Sequence, residues 1–246
     1  MAEANGHEAA SPGVGSRAGA ALRRALEREF TTAVDAVAVG EWQVELLRPR
    51  NSDDLISEAD FVRDERLPYW ADLWPSARTL APYLLERGVP ADVPHPRLLE
   101  LGCGLGLVTI AAMRAGWDVT ATDYYADALR FTRANAWTAM RREPATHLLD
   151  WRALPAEIGS YERIVAADVL YEHAYAPLIS SLLARALAPG GRSEAVIADP
   201  GRIAAPAFLE GLAADGLRVA ATETRPFVEG TIRQQITLYT IRRAGS

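Results

Sequence analysis

Five short apolar runs constrain this chain more than any other feature: "RLLEL" from Arg97, "DVTATD" from Asp118, "THLLDW" from Thr146, "RIVAADV" from Arg163 and "EAVIADP" from Glu194. Segments of helical composition, such as Ala126 to Ala139 and Ala176 to Leu187, separate most of them. Strands that alternate with helices imply a parallel sheet with both faces covered. The end of the sequence breaks the alternation. "LRVAATETRPF" from Leu217 and "TIRQQITLYTIRR" from Thr231 are strand-like and joined by too short a connection for a crossover helix, so they should pair antiparallel at a sheet edge. Five strands plus two predict an α/β, Rossmann-like, doubly wound sheet of seven strands, mostly parallel.

With 246 residues, 49% of them hydrophobic, the chain can bury one sizeable core. Residues 1–16 are small, polar and glycine-rich and are expected to be disordered. A helix/strand extension over residues 17–90 should follow. Ala21, Leu22, Ala25, Leu26 and Phe30 fall on one helical stripe, and Trp42, Val44 and Leu46 alternate at the period of a strand. "WPSARTLAPYLLERG" predicts a helix opened by Pro75, closed near Gly88 and kinked at Pro82. Residues 91–246 then form the core proper.

Gly102, Gly104 and Gly106 stand where the first apolar run gives way to a helix. Missing side chains there let a ligand approach the backbone and the helix N-terminus, although a tight turn can need glycine for geometry alone. The spacing is neither the dinucleotide fingerprint nor a phosphate-binding P-loop. Glu100, two residues before the first glycine, would repel phosphate but attract a cationic or amine-bearing ligand. Asp123 ends the second run at the distance expected of a ribose-binding acid. A sulfonium nucleoside with an amino-acid tail fits this set.

"LLELGCGLGLVTIAA", "TDYYADAL", "LDW" and "AADVLYE" resemble the successive motifs of class I, seven-strand S-adenosylmethionine-dependent methyltransferases. Together with "PYWADLWPSARTLAPYL" and "ADPGR" they resemble the protein-lysine methyltransferase branch that includes the electron-transfer-flavoprotein β-subunit enzymes and bacterial relatives. The resemblance implies that Glu100, Gly102, Gly104 and Gly106 line the methionine end of S-adenosylmethionine, with Cys103 in the same turn. It implies that Asp123 binds the ribose beside Tyr124, that Asp150 and Trp151 meet the adenine, and that Trp70 or Trp74 packs nearby. Ala167 would border the cofactor, and Asp168 with Tyr171 would form an Asp-x-x-Tyr motif at the reactive methyl group. The activity implied is N-methylation of a lysine side chain in a protein; a small-molecule N- or O-methyltransferase or a non-catalytic cofactor-binding protein are the alternatives.

Methyl transfer needs an aligned nucleophile stripped of water, and a lysine amine must first lose a proton. Asp168 could orient that amine and Tyr171 could offer a hydroxyl or an aromatic face; otherwise Asp168 caps the next helix and Tyr171 packs in it. Asp199 and Arg202 either border the acceptor entrance or simply form a turn. His173 reads as a solvent-facing loop residue, Trp137 as core, and Cys103 as a small apolar filler. Lysine plus arginine number 26 against 32 acidic residues, net charge −6, which disfavours a nucleic-acid partner, as does "ADVL" where resemblance to enzymes that methylate base amino groups would imply Asn-Pro-Pro-Tyr or Asp-Pro-Pro-Tyr. Scattered histidines and a single cysteine predict no metal. A cytoplasmic protein is expected, with neither signal peptide nor membrane span.

Overall fold

The computed structural model describes residues 14–55, 67–93 and 96–245. Helix α1 (Val14–Glu29) leads into a two-residue hairpin between β1 (Thr32–Val39) and β2 (Trp42–Pro49). These two strands pair only with each other, as a separate two-stranded sheet. A short 3-10 turn at Tyr69–Ala71 precedes α2 (Pro75–Arg87), which has proline at its first turn and Gly88 at its C-cap with φ 62°. The helix is not divided at Pro82.

The core follows as β3 (Arg97–Leu101), α3 (Leu107–Arg114), β4 (Asp118–Asp123), α4 (Ala126–Met140), β5 (Ala145–Leu148), β6 (Arg163–Ala167), α5 (Tyr175–Ala186), β7 (Glu194–Asp199), α6 (Ala205–Gly211), β8 (Leu217–Glu229) and β9 (Ile232–Arg243). The sheet order is β5-β4-β3-β6-β7-β9-β8. β3 to β7 are parallel, and β9 is antiparallel to both β7 and β8. The last strand is therefore inserted beside β7, and β8 takes the edge.

Successive strand residues point to opposite faces, so each buried strand feeds two cores. Leu98, Val165 and Val196 join the cluster under α2, α3 and the β1–β2 hairpin, whereas Leu99, Ile164 and Ile197 join the cluster under α5 and α6. Phe131 on α4 anchors a third cluster with Leu26 of α1 and Leu47 of β2. α1 approaches α4 closely because Gly19 has no side chain: a Cβ there would lie 2.1 Å from Cγ of Trp137.

Several expectations need adjusting. Helical structure starts at Val14, inside the segment expected to be disordered, whose first 13 residues lie outside the described ones. β5 stops at Leu148 because Asp150 turns the chain: its carbonyl accepts from Ala153 N at 3.0 Å and its carboxylate from Arg152 N at 2.9 Å. β6 stops at Ala167 because Asp168 takes φ 63°. β1 and α6 were not anticipated from sequence.

Candidate active site

In an open doubly wound sheet the ligand crevice forms at the carboxyl ends of the strands, where strand order reverses. Here the reversal lies between β3 and β6, and a cavity of about 440 Å³ opens there. That is within the ordinary range for a small-molecule site. Among the residues singled out from sequence, Trp70, Trp74, Glu100, Gly102, Cys103, Gly104, Asp123, Tyr124, Asp150, Trp151, Ala167, Asp168 and Tyr171 all line it.

Gly106 does not line the cavity. It has φ 85°, and a Cβ would come within 2.9 to 3.0 Å of Thr132 on α4, so this glycine allows α3 to start against α4. Gly104 combines φ 51° with the Trp70 carbonyl 3.0 Å from the place of a Cβ. The turn thus needs glycine at both positions for its left-handed backbone and for packing.

The strand ends carry carboxylates in two groups. Glu100, 2% exposed, accepts a hydrogen bond from the Thr109 hydroxyl, and burial pushes its pKa up to about 8 against the Thr109 bond, which lowers it; Asp123 adds a smaller upward push. Asp123 accepts from Gly104 N at 2.9 Å and Tyr125 N at 3.0 Å; burial outweighs these bonds and raises it to about 6. Two buried acids that resist ionisation side by side form a place where a cation is strongly favoured. In the ligand-free chain burial thus favours the protonated form of Glu100 near pH 7, and a cation arriving beside it would favour the ionised one. At the far end, Asp150 pairs with Arg152 at 2.8 Å, and the Arg152 guanidinium lies 5.4 Å from the Tyr124 ring centre. Burial drives the Cys103 thiol well above its usual range, which leaves it an inert wall.

Asp168 belongs to the second group. It does not cap α5, whose N-cap is Ala174. Its left-handed φ of 63° is costly for a non-glycine residue, by about 1 kcal/mol. The strain is held by Asp168 N donating to Ala198 O at 2.9 Å, Ser76 Oγ donating to Oδ2 at 3.0 Å and Arg202 Nε donating to Oδ1 at 2.5 Å. Residues kept in such conformations cluster at functional sites. Tyr171 precedes α5 and meets Tyr69 edge-on at 5.5 Å, while Tyr69 meets Trp74 at 5.9 Å. These rings line the same cavity as the Asp168 carboxylate. Asp199, fully buried, accepts from Gly201 N at 2.7 Å and Arg202 N at 2.8 Å through one oxygen; the other has no hydrogen-bond partner, and burial raises its pKa. His173 is exposed, and neither it nor Trp137 lines the cavity. Ser76, Tyr69 and Arg152 were not identified from sequence, because no local pattern marks them.

The strand order and the glycine turn are those of the class I methyltransferase fold that the sequence motifs resemble. A family model described as "Lysine methyltransferase" matches residues 49–199. The chain is 31% identical to the electron transfer flavoprotein beta subunit lysine methyltransferase of Xenopus laevis over 76% of this chain and 73% of that protein. It is 34% identical to the protein-lysine methyltransferase METTL21E of Bos taurus, but only over 47% of this chain and 41% of that one. Among solved structures, magnesium protoporphyrin IX methyltransferase (ChlM) from Synechocystis PCC 6803 with bound SAM shares the fold, with a TM-score of 0.54, 18% identity, and coverage of 76% and 93% of the two chains. This chain belongs to the lysine methyltransferase family and is an S-adenosylmethionine-dependent methyltransferase.

Proposed function

We propose that the acceptor is a lysine side-chain amine of a protein, and that the cavity divides into a donor end and an acceptor end. The donor end is built from Glu100, Gly102, Gly104, Asp123, Tyr124, Asp150, Trp151 and Ala167, with Trp70 beneath the glycine turn. It suits S-adenosylmethionine: buried acids for a cationic amino-acid tail, an acid at the end of β4 for ribose hydroxyls, and aromatic faces for a purine. When bound, S-adenosylmethionine supplies a sulfonium methyl group, and the acceptor nitrogen's lone pair forms the N–C bond while the C–S pair stays on sulfur. The protein then has to align the amine and exclude water rather than provide a strong base.

Asp168 carries this reading. It is a strained, ion-paired carboxylate at the mouth of the central strands that shares the cavity with Tyr69, Trp74 and Tyr171, and it can orient an amine while the rings accommodate a cation. Exposed Asp72 and Glu172 line the same cavity and favour a cationic side chain on a larger partner. The extension over residues 17–90 contributes Tyr69, Trp70, Trp74 and Ser76, and so helps to shape both ends. Among the described residues no helix is long and apolar enough to cross a membrane. A cytoplasmic location is part of the proposal.

The test incubates the protein with methyl-labelled S-adenosylmethionine and host extract separated into macromolecular and small-molecule fractions, with Asp168→Ala as control. Nuclease-resistant label in a protein band, lost in the variant while S-adenosylhomocysteine still binds, is expected. Label confined to small molecules would move the activity to a metabolite. Undiminished transfer by the variant would remove Asp168 from the site.

A further inference from the structure

The acceptor end already contains a cation. The Arg202 side chain is a third exposed, yet its Nε lies 2.5 Å from the nearly buried Asp168 carboxylate, and its guanidinium carbon sits 5.2 Å from the Trp74 ring centre. A carboxylate combined with an aromatic face is the chemistry that would recognise an alkylammonium. Arg202 is delivered there by Asp199, whose two backbone bonds fix the turn that carries it. With Ser76 on the other oxygen, Asp168 has both oxygens engaged before any acceptor arrives.

We propose that Arg202 is a placeholder: its guanidinium fills the acceptor's ammonium subsite, formed by Asp168 and Trp74, and the entering lysine displaces it. This inference rests on the lysine reading above. All 26 basic residues are arginine and the sequence contains no lysine, so wild type brings no lysine amine of its own to this subsite. A guanidinium in the subsite balances Asp168 without offering an amine nucleophile. A lysine there would place an amine where the acceptor belongs, since its nitrogen extends one bond beyond the position of arginine Nε.

Arg202→Lys is therefore expected to methylate itself. The introduced amine loses its proton to water and forms the N–C bond with the donor methyl, and the C–S electron pair remains on sulfur. Intact-protein mass spectrometry reads the added methyl groups, and peptide mapping places them at residue 202 rather than at the N-terminal amine. Wild type should remain unmodified there. A second readout is independent of turnover. With S-adenosylhomocysteine bound, calorimetry with n-butylammonium should show about fivefold tighter binding to Arg202→Gln than to wild type, the scale of a partly exposed ion pair that no longer has to be broken. Neutral n-butanol should show no such gain.

An unmodified residue 202 in an Arg202→Lys protein that still methylates extract protein would overturn the placeholder and leave the lysine reading standing. Equal n-butylammonium affinity in wild type and Arg202→Gln would overturn it as well. Loss of protein methylation by wild type itself, with S-adenosylhomocysteine still bound, would instead sink the acceptor reading on which the proposal rests.

Discussion

Donor binding should release a proton from Glu100. Burial raises this carboxyl from 4.5 to about 8, so near pH 7 about nine molecules in ten carry it protonated in the ligand-free chain. A cationic amino-acid tail at the same place favours the ionised form, and binding should expel about 0.9 proton at pH 7. Asp123, at about 6, adds only about 0.1. Because the carboxyl must ionise first, the dissociation constant of S-adenosylhomocysteine should fall nearly tenfold per pH unit well below 8, and then level off. Calorimetry in two buffers of different ionisation enthalpy at pH 7 counts the proton directly, and a titration series from pH 6 to 7.5 gives the slope. Glu100→Gln should bind more weakly, release almost no proton, and lose most of the slope. No proton release by wild type, or an unchanged slope in the variant, would refute the assignment of Glu100 to the donor's cationic end.

The same group has a stability consequence with a definite sign. Its folded-state pKa lies above the unfolded value, so the stability it contributes is complete below about 4.5 and is lost as pH rises through about 8. Across that window the loss is on the order of 5 kcal/mol, at about 1.36 kcal/mol for each pH unit between the unfolded and folded values. Ligand-free wild type should therefore lose stability between pH 6 and 8 relative to Glu100→Gln, as read by urea unfolding, and bound S-adenosylhomocysteine should narrow the difference.

Two further outcomes test other parts of the site. Asp123→Ala should weaken S-adenosylhomocysteine about 10- to 100-fold in calorimetry, the scale of hydrogen bonds to a charged group, and unchanged affinity would remove the ribose assignment. Gly106→Ala should destabilise the fold by about 2–4 kcal/mol in thermal or urea unfolding, because it adds left-handed strain to an overlap with Thr132; full stability with lost cofactor binding would make this glycine a ligand contact after all.

Most of the fold was legible because buried parallel strands are short, continuous apolar runs separated by segments of helical composition. β1 escaped notice because "TAVDAVAV" relies on alanine and buries only Val37 and Val39, a weak alternation, although the two-residue Gly40–Glu41 turn before Trp42 was a usable hairpin signal. The lining of the candidate site was legible where strands end, since Glu100, Asp123 and Asp168 occupy positions that a doubly wound sheet gathers at one edge. What escaped was tertiary. Ser76 lies 92 residues from Asp168 and Arg152 lies 28 from Tyr124, separations that leave no spacing to read. Gly106 shared a motif with Gly102 and Gly104, yet its surroundings belong to α4.

The two ends of the cavity solve the same electrostatic problem in different ways. At the donor end Glu100 and Asp123 have no side-chain cation among their hydrogen-bond partners in the described residues, so burial raises both, and a cation entering there is coupled to proton release. At the acceptor end Asp168 is equally buried but already paired with Arg202, and a cation entering there is coupled to displacement of another cation. The donor site should thus respond to pH through Glu100, whereas the acceptor site should respond to the charge and length of residue 202. A resident guanidinium also prevents Asp168 and Asp199, whose charges act on one another, from facing each other uncompensated while the acceptor is absent. In this way one sheet edge holds four buried carboxyl groups: Glu100, Asp123 and Asp199 are raised by burial, and Asp168 is paired with Arg202, whose backbone N–H also donates to Asp199.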